Sequence, residues 1–321
     1  MRDKLRQLHV LLRSFGSIAI GFSGGVDSAF LAAVCARIMA DRTLLIHLST
    51  PLVGTPEERS FQKMTKNPDE AQAIDGRTER GAVRRSATVL CALPLPVVEV
   101  ALDPLADPDI ARNDEARCYH CKLAGFARIV SEARKRGYAV VADGSNADDA
   151  GDYRPGMRAI SELGVRSPLL ETGWHKEEER ELLRAWGYPV WNLPSGACLA
   201  TRIATGERLT AGRIEQIRTC EDLLEKLGLS QVRARLVGDL MRIEAAPADL
   251  ARLRAVSAED ASDGRAPTSI CPLGGTDDDG AVALPADVLQ RLGELIDIRL
   301  DPFAHPYRKG DMNAQAKPFQ G

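Results

Sequence analysis

Apolar positions in the first part of the chain alternate between helical and strand spacing. Leucine and valine residues recur at helical spacing before Gly16, and the apolar run over residues 18–22 then predicts a buried strand that ends in a glycine-rich turn. Residues 28–40 are rich in Ala, Leu and Val without internal Gly or Pro, which predicts a helix, and residues 43–48 predict the next strand. This order predicts a βαβ unit of a parallel sheet.

The same alternation continues to about residue 195. Residues 97–102 and 138–142 predict strands, whereas residues 122–135 and 176–186 predict helices. The stretch 50–86 is rich in Pro, Gly and mixed charge, so we expect an irregular excursion there. The first predicted domain, residues 1–195, is therefore α/β with a doubly wound parallel sheet.

The pattern changes after about residue 206. A helix over 212–227 is followed by alternating strands over 231–236 and 240–245, and a last helix and strand are predicted over 285–295 and 296–300. The polar stretch 256–282, with the acidic run Asp277–Asp279, is expected to be an inserted surface loop. We therefore predict a second, smaller α+β domain over residues 196–321.

Composition and charge narrow the class of protein. The chain has 321 residues, 44% hydrophobic and 27% charged, which excludes a disordered protein and a small disulfide-stapled module. A formal charge of −3 gives no global attraction to nucleic acid or to an anionic membrane. No apolar stretch is long enough to cross a bilayer, and the charged residues 1–6 do not resemble a secretion signal, so we expect a cytoplasmic protein. Seven cysteines are then better explained as thiols, metal ligands or catalytic groups than as disulfides.

The turn after the first strand has the sequence Ser-Gly-Gly-Val-Asp-Ser over residues 23–28. Its backbone N–H groups and the start of the following helix can hold an anion, and the serine hydroxyls add donors. Asp27 can hold Mg²⁺ against phosphate oxygens. Neither a Walker-type ending nor a GxGxxG pattern is present. The segment predicts a phosphate site, the simpler alternative being a glycine turn capped by Asp27.

This loop resembles the pyrophosphate (PP) loop of the N-type ATP pyrophosphatases, which implies adenylation of a carboxylate or carbonyl oxygen with release of pyrophosphate. Two cysteine-bearing segments, 117–122 and 194–203, narrow the resemblance. With the motifs at 143–149, 152–156, 166–169, 232–235, 242–244 and 307–313, they resemble the LarE family of ATP-dependent sulfur transferases. The resemblance covers roughly residues 5–55, 86–255 and 284–314. The sequence departs from the family pattern at residues 204–206 and 309–311.

The resemblance implies a specific reaction. Each carboxylate of pyridinium-3,5-biscarboxylic acid mononucleotide would be adenylated and converted to a thiocarboxylate in nickel-pincer nucleotide cofactor biosynthesis. Some members use a single cysteine, matching Cys198, as a sacrificial sulfur donor, and others hold a [4Fe-4S] cluster on three cysteines. This chain has Cys118, Cys121 and Cys198 and resembles the second kind, so the implied cofactors are ATP, Mg²⁺ and a [4Fe-4S] cluster.

The chemistry of these residues favours the same interpretation, because three soft thiolates suit an iron–sulfur cluster with an open iron better than a four-ligand structural zinc site. The alternatives are a sacrificial Cys198 beside a redox-active or zinc-binding CxxC pair, and inert buried thiols. A tRNA thiolation enzyme with the same loop and a non-catalytic nucleotide or iron–sulfur binding protein are the alternative functions.

The resemblance also implies ligand sets. The candidate ligands of ATP and pyrophosphate are Ser23, Gly24, Gly25, Asp27, Ser28, Asn146 and Lys176, and those of the substrate phosphate are Arg202, Arg233, Arg235, Glu221 and Glu244. Arg233 and Arg235 alternate on one strand and would clamp the phosphate, unless they are solvated surface arginines. Ordinary salt bridges are the alternative for the two glutamates. Arg180, one turn after Lys176, could help to neutralise pyrophosphate, unless the pair forms a solvated helix face. The implied partners are a small nucleotide substrate, further copies of the chain and a sulfur donor protein.

Overall fold

The computed structural model describes residues 1–65, 93–149, 155–194, 196–262 and 280–307. Parts of the stretches 50–86 and 256–282, most of the motifs 152–156 and 307–313, and Cys91 and Cys271 lie outside the described residues. The chain forms two compact units, one from Met1–Pro104 with Cys118–Gly196 and the other from Leu105–Arg117 with the chain from Ala197 onward.

The described helices and strands follow one another in a mixed order. They are α1 (Arg2–Ser14), β1 (Ile18–Gly21), α2 (Val26–Ile38), β2 (Thr43–Ser49), α3 (Thr55–Thr65), β3 (Val97–Ala101), α4 (Pro108–Ala111), α5 (Arg117–Lys135), β4 (Val140–Ala142), α6 (Pro155–Glu162), α7 (Pro168–Glu171), α8 (Lys176–Ala185), α9 (Ala211–Lys226), β5 (Val232–Val237), β6 (Leu240–Ala245), α10 (Pro247–Ser262), β7 (Val282–Ala283), α11 (Ala286–Leu295) and β8 (Arg299–Pro306). A 3₁₀ turn, Leu199–Arg202, precedes α9. In the part of the chain that the structure describes, no helix combines the length and the apolar content that crossing a membrane requires.

The sheet of the first unit is parallel, with the strand order β3-β2-β1-β4. The chain moves outward from β1 to β2 and β3, and then returns to place β4 on the other side of β1. Ligands of open α/β sheets bind at such a reversal, outside the carboxyl ends of the strands. The loops after β1 and β4, which include the predicted phosphate loop, therefore meet at the expected ligand-binding edge.

Helices cover both faces of this sheet. Ile18 and Ile20 of β1 pack into one apolar core with α2, whereas Ala19 packs into a second core with Phe126 and Ile129 of α5. This alternation follows from the period of two along a strand. The prediction of a doubly wound α/β fold is confirmed.

The second unit contains a mixed sheet with the order β5-β6-β8-β7. Strands β5 and β6 form an antiparallel pair, β8 runs parallel to β6, and the two-residue β7 runs antiparallel to β8. Val232, Ala234 and Leu236 of β5 are buried apolar residues that alternate with arginines. Together with helices α9 to α11, this sheet gives the predicted α+β character.

Several predicted boundaries differ from the structure, and the last strand is Arg299–Pro306 rather than 296–300. Residues 55–65 form helix α3 within the stretch predicted to be irregular, because Pro56 and two glutamates favour a helix start. Helix α5 begins at Arg117, five residues before the predicted start at residue 122, so Cys118 and Cys121 lie inside its first turns. Residues 256–262 continue α10 rather than opening an inserted loop.

Candidate active site

The phosphate loop requires glycine at position 24 for two reasons. Gly24 has a φ of +81°, a conformation that L side chains rarely adopt. A Cβ placed on it would lie 2.6 Å from the Glu57 carbonyl oxygen and 2.9 Å from the Phe61 backbone nitrogen. Helix α3 therefore packs directly on the loop. Phe61 of this helix also stacks on the buried His47 ring of β2, with 3.7 Å between the ring centroids.

The loop hydroxyls fix its backbone. The Ser23 and Ser28 hydroxyl oxygens are 3.1 Å apart, the Ser23 backbone N–H donates to Ser28 Oγ, and the Gly25 N–H donates to Ser23 Oγ. Gly25 is the N-cap residue of α2 and has an extended backbone. Because glycine has no side chain, no side chain caps the start of this helix. The first N–H groups of a helix that lacks such a cap are suited to bind an anion such as phosphate.

Asp27, Asn146 and Lys176 come together beside the loop, as the sequence predicts for members of one ATP site. The Lys176 ammonium lies 3.0 Å from Asp27 Oδ2, and the Asn146 amide donates to Asp27 Oδ1 at 3.3 Å. The Lys176–Asp27 pair is partly exposed rather than buried. The Asp27 carboxylate offers the oxygen donors that Mg²⁺ prefers, so its chemistry fits a magnesium ligand.

Glu179 joins this cluster, although the sequence analysis did not identify it. The side chain is fully buried, and its Oε1 accepts a hydrogen bond from the Asn146 amide at 3.1 Å. Burial, together with the neighbouring Asp27, raises the pKa of Glu179 to about 9. Glu179 is three residues after Lys176 and therefore on the same face of α8, a spacing that could have identified it.

The loop after β4 lies against the start of α2. A Cβ on Gly144 would come 2.8 Å from the Ser28 backbone nitrogen, so only glycine allows this approach. The buried Asp143 carboxylate accepts hydrogen bonds from the hydroxyls of Ser145 and Ser167. These contacts hold the loop that carries Asn146 at the phosphate loop.

Arg180, which was considered as a residue that neutralises pyrophosphate, is not hydrogen-bonded to the cluster around Asp27. Its guanidinium donates to the carbonyl oxygens of Trp191 and Leu193 instead. These hydrogen bonds support the turn that follows α8, which is a structural role. Lys176 and Arg180 are thus engaged in contacts, and the alternative of a purely solvated helix face is wrong for both.

The CxxC pair lies in the first unit, on the first turns of α5. Residues three apart on a helix share a face, so Cys118 and Cys121 are neighbours on its surface. Cys118 is exposed and Cys121 is half-buried. In contrast, Cys35 and Cys220 are buried, and burial raises the pKa of Cys35 to about 12 and also raises that of Cys220. The interpretation of Cys118 and Cys121 as inert buried thiols is therefore wrong.

Cys198 lies in the second unit, directly before the 3₁₀ turn Leu199–Arg202, and it is exposed. Its carbonyl oxygen accepts hydrogen bonds from the Thr201 hydroxyl at 2.7 Å and the Thr201 N–H at 2.9 Å. Arg202 donates to the carbonyl oxygens of Ala197 and Cys198 at 2.7 and 3.4 Å. The backbone around Cys198 is therefore fixed, while the thiol-bearing residue stays accessible.

Arg202 also forms a buried ion pair. Its Nε and Nη2 atoms donate to the two carboxylate oxygens of Glu221 at 2.8 and 3.1 Å. The same carboxylate accepts the Ala234 backbone N–H at 3.0 Å. This bidentate geometry is the strong form of an arginine–carboxylate contact. The salt-bridge role considered for Glu221 is present in the structure.

Arg233 and Arg235 are buried rather than solvated, so the alternative of surface arginines is wrong. Arg235 donates to Glu244 Oε2 at 3.0 Å and to the Thr201 carbonyl oxygen at 2.9 Å. Arg233 lies opposite Glu244 in the register, and its guanidinium faces the Tyr307 ring at 5.8 Å. We call the side of β5 and β6 that carries Arg233, Arg235, Arg242 and Glu244 the arginine face.

Asn113 and Arg117, to which the sequence analysis gave no role, anchor the chain near Cys198. Asn113 is fully buried with a φ of 60°, and its amide donates to the carbonyl oxygens of Ala204 and Glu207, both at 2.9 Å. Arg117 donates to the side-chain oxygen of Asn113, and to the Ala200 carbonyl oxygen at 3.1 Å. The residue before Cys118 is therefore bonded to the turn that follows Cys198. A left-handed, buried Asn has no sequence signal of its own.

The described ranges contain no group of three or more His, Cys, Asp or Glu side chains arranged to hold a metal ion. The cysteine donor set nevertheless suits iron–sulfur chemistry, because an exposed and a half-buried cysteine share one helix face and a third, exposed cysteine precedes a fixed turn.

No protein-family model matches the chain, but three known proteins are similar to it over most of their length. An uncharacterized protein of Synechocystis sp. is 32% identical over 247 residues, 77% of this chain and 83% of that protein. Pyridinium-3,5-bisthiocarboxylic acid mononucleotide synthase of Lactiplantibacillus plantarum, known as LarE, is 29% identical over 244 residues, 76% of this chain and 80% of the synthase. An uncharacterized protein of Methanocaldococcus jannaschii is 27% identical over 227 residues, 71% of this chain and 77% of that protein. The chain belongs to the family of these proteins and is a homologue of LarE.

Proposed function

We propose that the protein is an ATP-dependent sulfur transferase that adenylates the carboxylates of pyridinium-3,5-biscarboxylic acid mononucleotide and converts them to thiocarboxylates. The similarity to the L. plantarum synthase, whose name states the bisthiocarboxylic product, supports the substrate. The observation that carries the proposal is the phosphate loop, where uncapped N–H groups, Asp27 and Lys176 converge beside Asn146.

The chemistry of this loop supports the proposed adenylation. The N–H groups at the start of α2 and the Lys176 ammonium bind phosphate oxygens and stabilise the charge that develops on departing pyrophosphate. Asp27 would hold Mg²⁺, which neutralises phosphate charge when bound. The Ser23 and Ser28 hydroxyls keep the loop backbone in the conformation that presents its N–H groups.

We propose that Cys118, Cys121 and Cys198 together hold a [4Fe-4S] cluster. The donor chemistry supports this, because two cysteines share the first turns of α5 and a third precedes a fixed 3₁₀ turn, which gives three soft thiolates. When bound by these three residues, such a cluster would keep one iron without a protein ligand and would supply the sulfide for transfer. The competing candidate, a sacrificial Cys198, is favoured by the exposure of that residue and its fixed backbone.

We propose that the arginine face and Arg202 bind the phosphorylated substrate. Buried guanidinium groups recognise phosphate through several N–H donors at once. In this arrangement, Glu221 and Glu244 orient Arg202 and Arg235, respectively. A small mononucleotide bound in this way requires no nucleic acid partner. The proposed partners are a sulfur donor protein and further copies of the chain in a homo-oligomer.

The first experiment separates adenylation from sulfur transfer. Anaerobically purified and reconstituted protein is given Mg·ATP and the biscarboxylic mononucleotide, and pyrophosphate, AMP and the thiocarboxylate product are measured. We expect all three from the wild type. The variants C118S, C121S and C198S should release pyrophosphate but form no thiocarboxylate, and the buried-thiol control C35A should behave as the wild type. Wild-type protein that binds ATP without releasing pyrophosphate would contradict the proposed reaction.

The second experiment identifies the sulfur source. Iron and acid-labile sulfide are measured on the same proteins. About four of each per chain, lost in all three serine variants and kept in C35A, are expected for the cluster. Iron-free protein in which Cys198 loses the mass of one H₂S after turnover would replace the cluster with the sacrificial mechanism.

A further inference from the structure

Strand β8 departs from regular pairing beside the arginine face. Met241 pairs with Leu300, and Ile243, two residues later, pairs with Ala304, four residues after Leu300. Residues 301–303 are therefore an irregular insertion opposite Arg242. Such irregularities redirect side chains and are frequent beside active sites.

The irregularity brings together two side chains that a regular strand would separate. Residues four apart on a regular strand are roughly 13 Å apart. Here His305 Nε2 lies 3.1 Å from Asp301 Oδ2, and His305 Nδ1 lies 2.7 Å from Arg242 Nη2. A guanidinium can only donate, so Nδ1 accepts from Arg242 and Nε2–H donates to Asp301. Asp301, His305 and Arg242 thus form a continuous chain of hydrogen bonds that fixes the guanidinium of Arg242.

Arg242 lies at a position that needs an explanation. In the register of β5 and β6 it is directly opposite Arg235, and residues opposite each other share a face of the sheet. Arg233, two residues before Arg235, is on the same face. Like charges directly opposite each other destabilise a sheet. An anion bound between the guanidinium groups would reverse that effect.

We infer that Arg242 is a third anion-binding residue of the arginine face, recognising the substrate phosphate together with Arg233 and Arg235, and that His305 and Asp301 are positioning residues for it. A phosphate presents three peripheral oxygens, which three guanidinium groups match better than two. The inference rests on the proposed function only for the identity of the nucleotide that bears the phosphate.

The test measures binding by calorimetry of two ligands, the biscarboxylic mononucleotide and the phosphate-free nucleoside prepared from it by phosphatase treatment. We expect Arg242→Gln to weaken binding of the mononucleotide by about 10- to 100-fold and to leave binding of the nucleoside unchanged. The matched control is Arg299→Gln on the neighbouring strand β8, where the arginine is exposed, and it should change neither. ATP binding should be unchanged in both variants.

The positioning role has its own readout. His305→Ala should weaken binding of the mononucleotide several-fold, and His305→Asn should recover part of it, because the Asn side-chain oxygen can accept from Arg242. Arg242→Lys keeps the charge but loses the planar fork, so its affinity should fall between those of the wild type and Arg242→Gln. It also provides a variant for the same test if Arg242→Gln does not fold.

Two results would overturn the inference. One is an Arg242→Gln variant that binds the mononucleotide within twofold of the wild type, and the other is equal weakening of the mononucleotide and the nucleoside. If the wild type binds no pyridinium nucleotide, the proposed function fails, and inorganic phosphate becomes the probe. Weaker phosphate binding by Arg242→Gln than by the wild type and Arg299→Gln would then still support the anion site, whereas equal phosphate binding would refute it.

Discussion

The phosphate loop and the arginine face both offer donors to anions, yet they are built in opposite ways. The loop uses consecutive backbone N–H groups and one ion pair, Lys176–Asp27, whose side chains are 31% and 28% exposed. On the arginine face, the side chains of Arg235 and Glu244 are only 8% and 7% exposed. Charges near water exchange partners at small cost, whereas buried charges are costly to leave unpaired. The loop is therefore suited to successive states of a phosphate chain, and the arginine face to one anion held in a fixed place.

The largest effect is expected from breaking the buried pair beside the arginine face. Arg202→Ala leaves Glu221 buried without its partner and should lower the free energy of unfolding by about 3–5 kcal/mol. The exposed pair Arg6–Asp3 is the matched control, and Arg6→Ala should cost less than about 1 kcal/mol. Urea unfolding of both variants measures the difference. Equal losses would remove the distinction between buried and exposed charges.

The next effect is on the chemistry of the loop. Asp27→Asn removes a charge needed to hold Mg²⁺, and pyrophosphate release should fall by about 10²- to 10³-fold. Asp41→Asn, at an exposed position, should leave release unchanged.

Arg235→Gln, on the arginine face, should raise the KM for the mononucleotide without changing ATP binding. Loss of ATP binding in Arg235→Gln would contradict the assignment of ATP to the phosphate loop and of the substrate phosphate to the arginine face.

A smaller effect separates steric approach from backbone conformation in the loop. Gly24→Ala combines a positive φ with close contacts to α3, so it should cost about 1–3 kcal/mol of stability and weaken ATP binding. Gly137→Ala has nearly the same φ, +82°, but nothing within 4 Å of its added Cβ. It should cost about 1 kcal/mol and leave ATP binding intact. Thermal unfolding and ATP titration of both variants test this, and equal ATP affinities would argue against close packing at Gly24.

The last prediction concerns pH. The pKa of Glu179 is raised from 4.5 to about 9, so between these values the folded protein holds a proton that the unfolded chain has lost. This contribution to stability is complete below pH 4.5 and decreases as pH rises towards 9, by at most about 1.4 kcal/mol per pH unit. Glu179→Gln should flatten that decrease. Urea unfolding of wild type and variant at pH 5, 7 and 9 measures it, and parallel curves would contradict the raised pKa.

The contrast between the two regions also explains what could be predicted. The phosphate loop is local, because six consecutive residues between a strand and a helix carry its chemistry. The contacts of the second unit are distant in sequence, such as Arg117 with Ala200 across 83 positions, and no spacing reveals them. Arg233 and Arg235 were predicted as a pair, but their burial and the role of Arg242 depend on how strands β5, β6 and β8 pair.

Some misses have more local causes. Glu179 is the last of three consecutive glutamates, a pattern typical of a solvated helix surface, and only the packing of α8 places it beside Asp27. Helix α3 was missed because Pro and charged residues dominate its start, while its buried face rests on few positions, including Phe61 and Met64. Both elements owe their placement to tertiary packing rather than to local preference.

The Glu221 carboxylate does more than neutralise Arg202, because it also covers the edge of a sheet. Strand β5 is at the edge of its sheet, where unpaired backbone groups would offer a template for another chain. Glu221 accepts a hydrogen bond from the outward-facing N–H of Ala234, and the Ala204 N–H donates to the outward-facing carbonyl oxygen of Leu236 at 3.3 Å. These contacts close that edge, so a foreign strand could add to it only by displacing them. The same contacts that order the turn after Cys198 thereby protect this edge of the sheet against pairing with another chain.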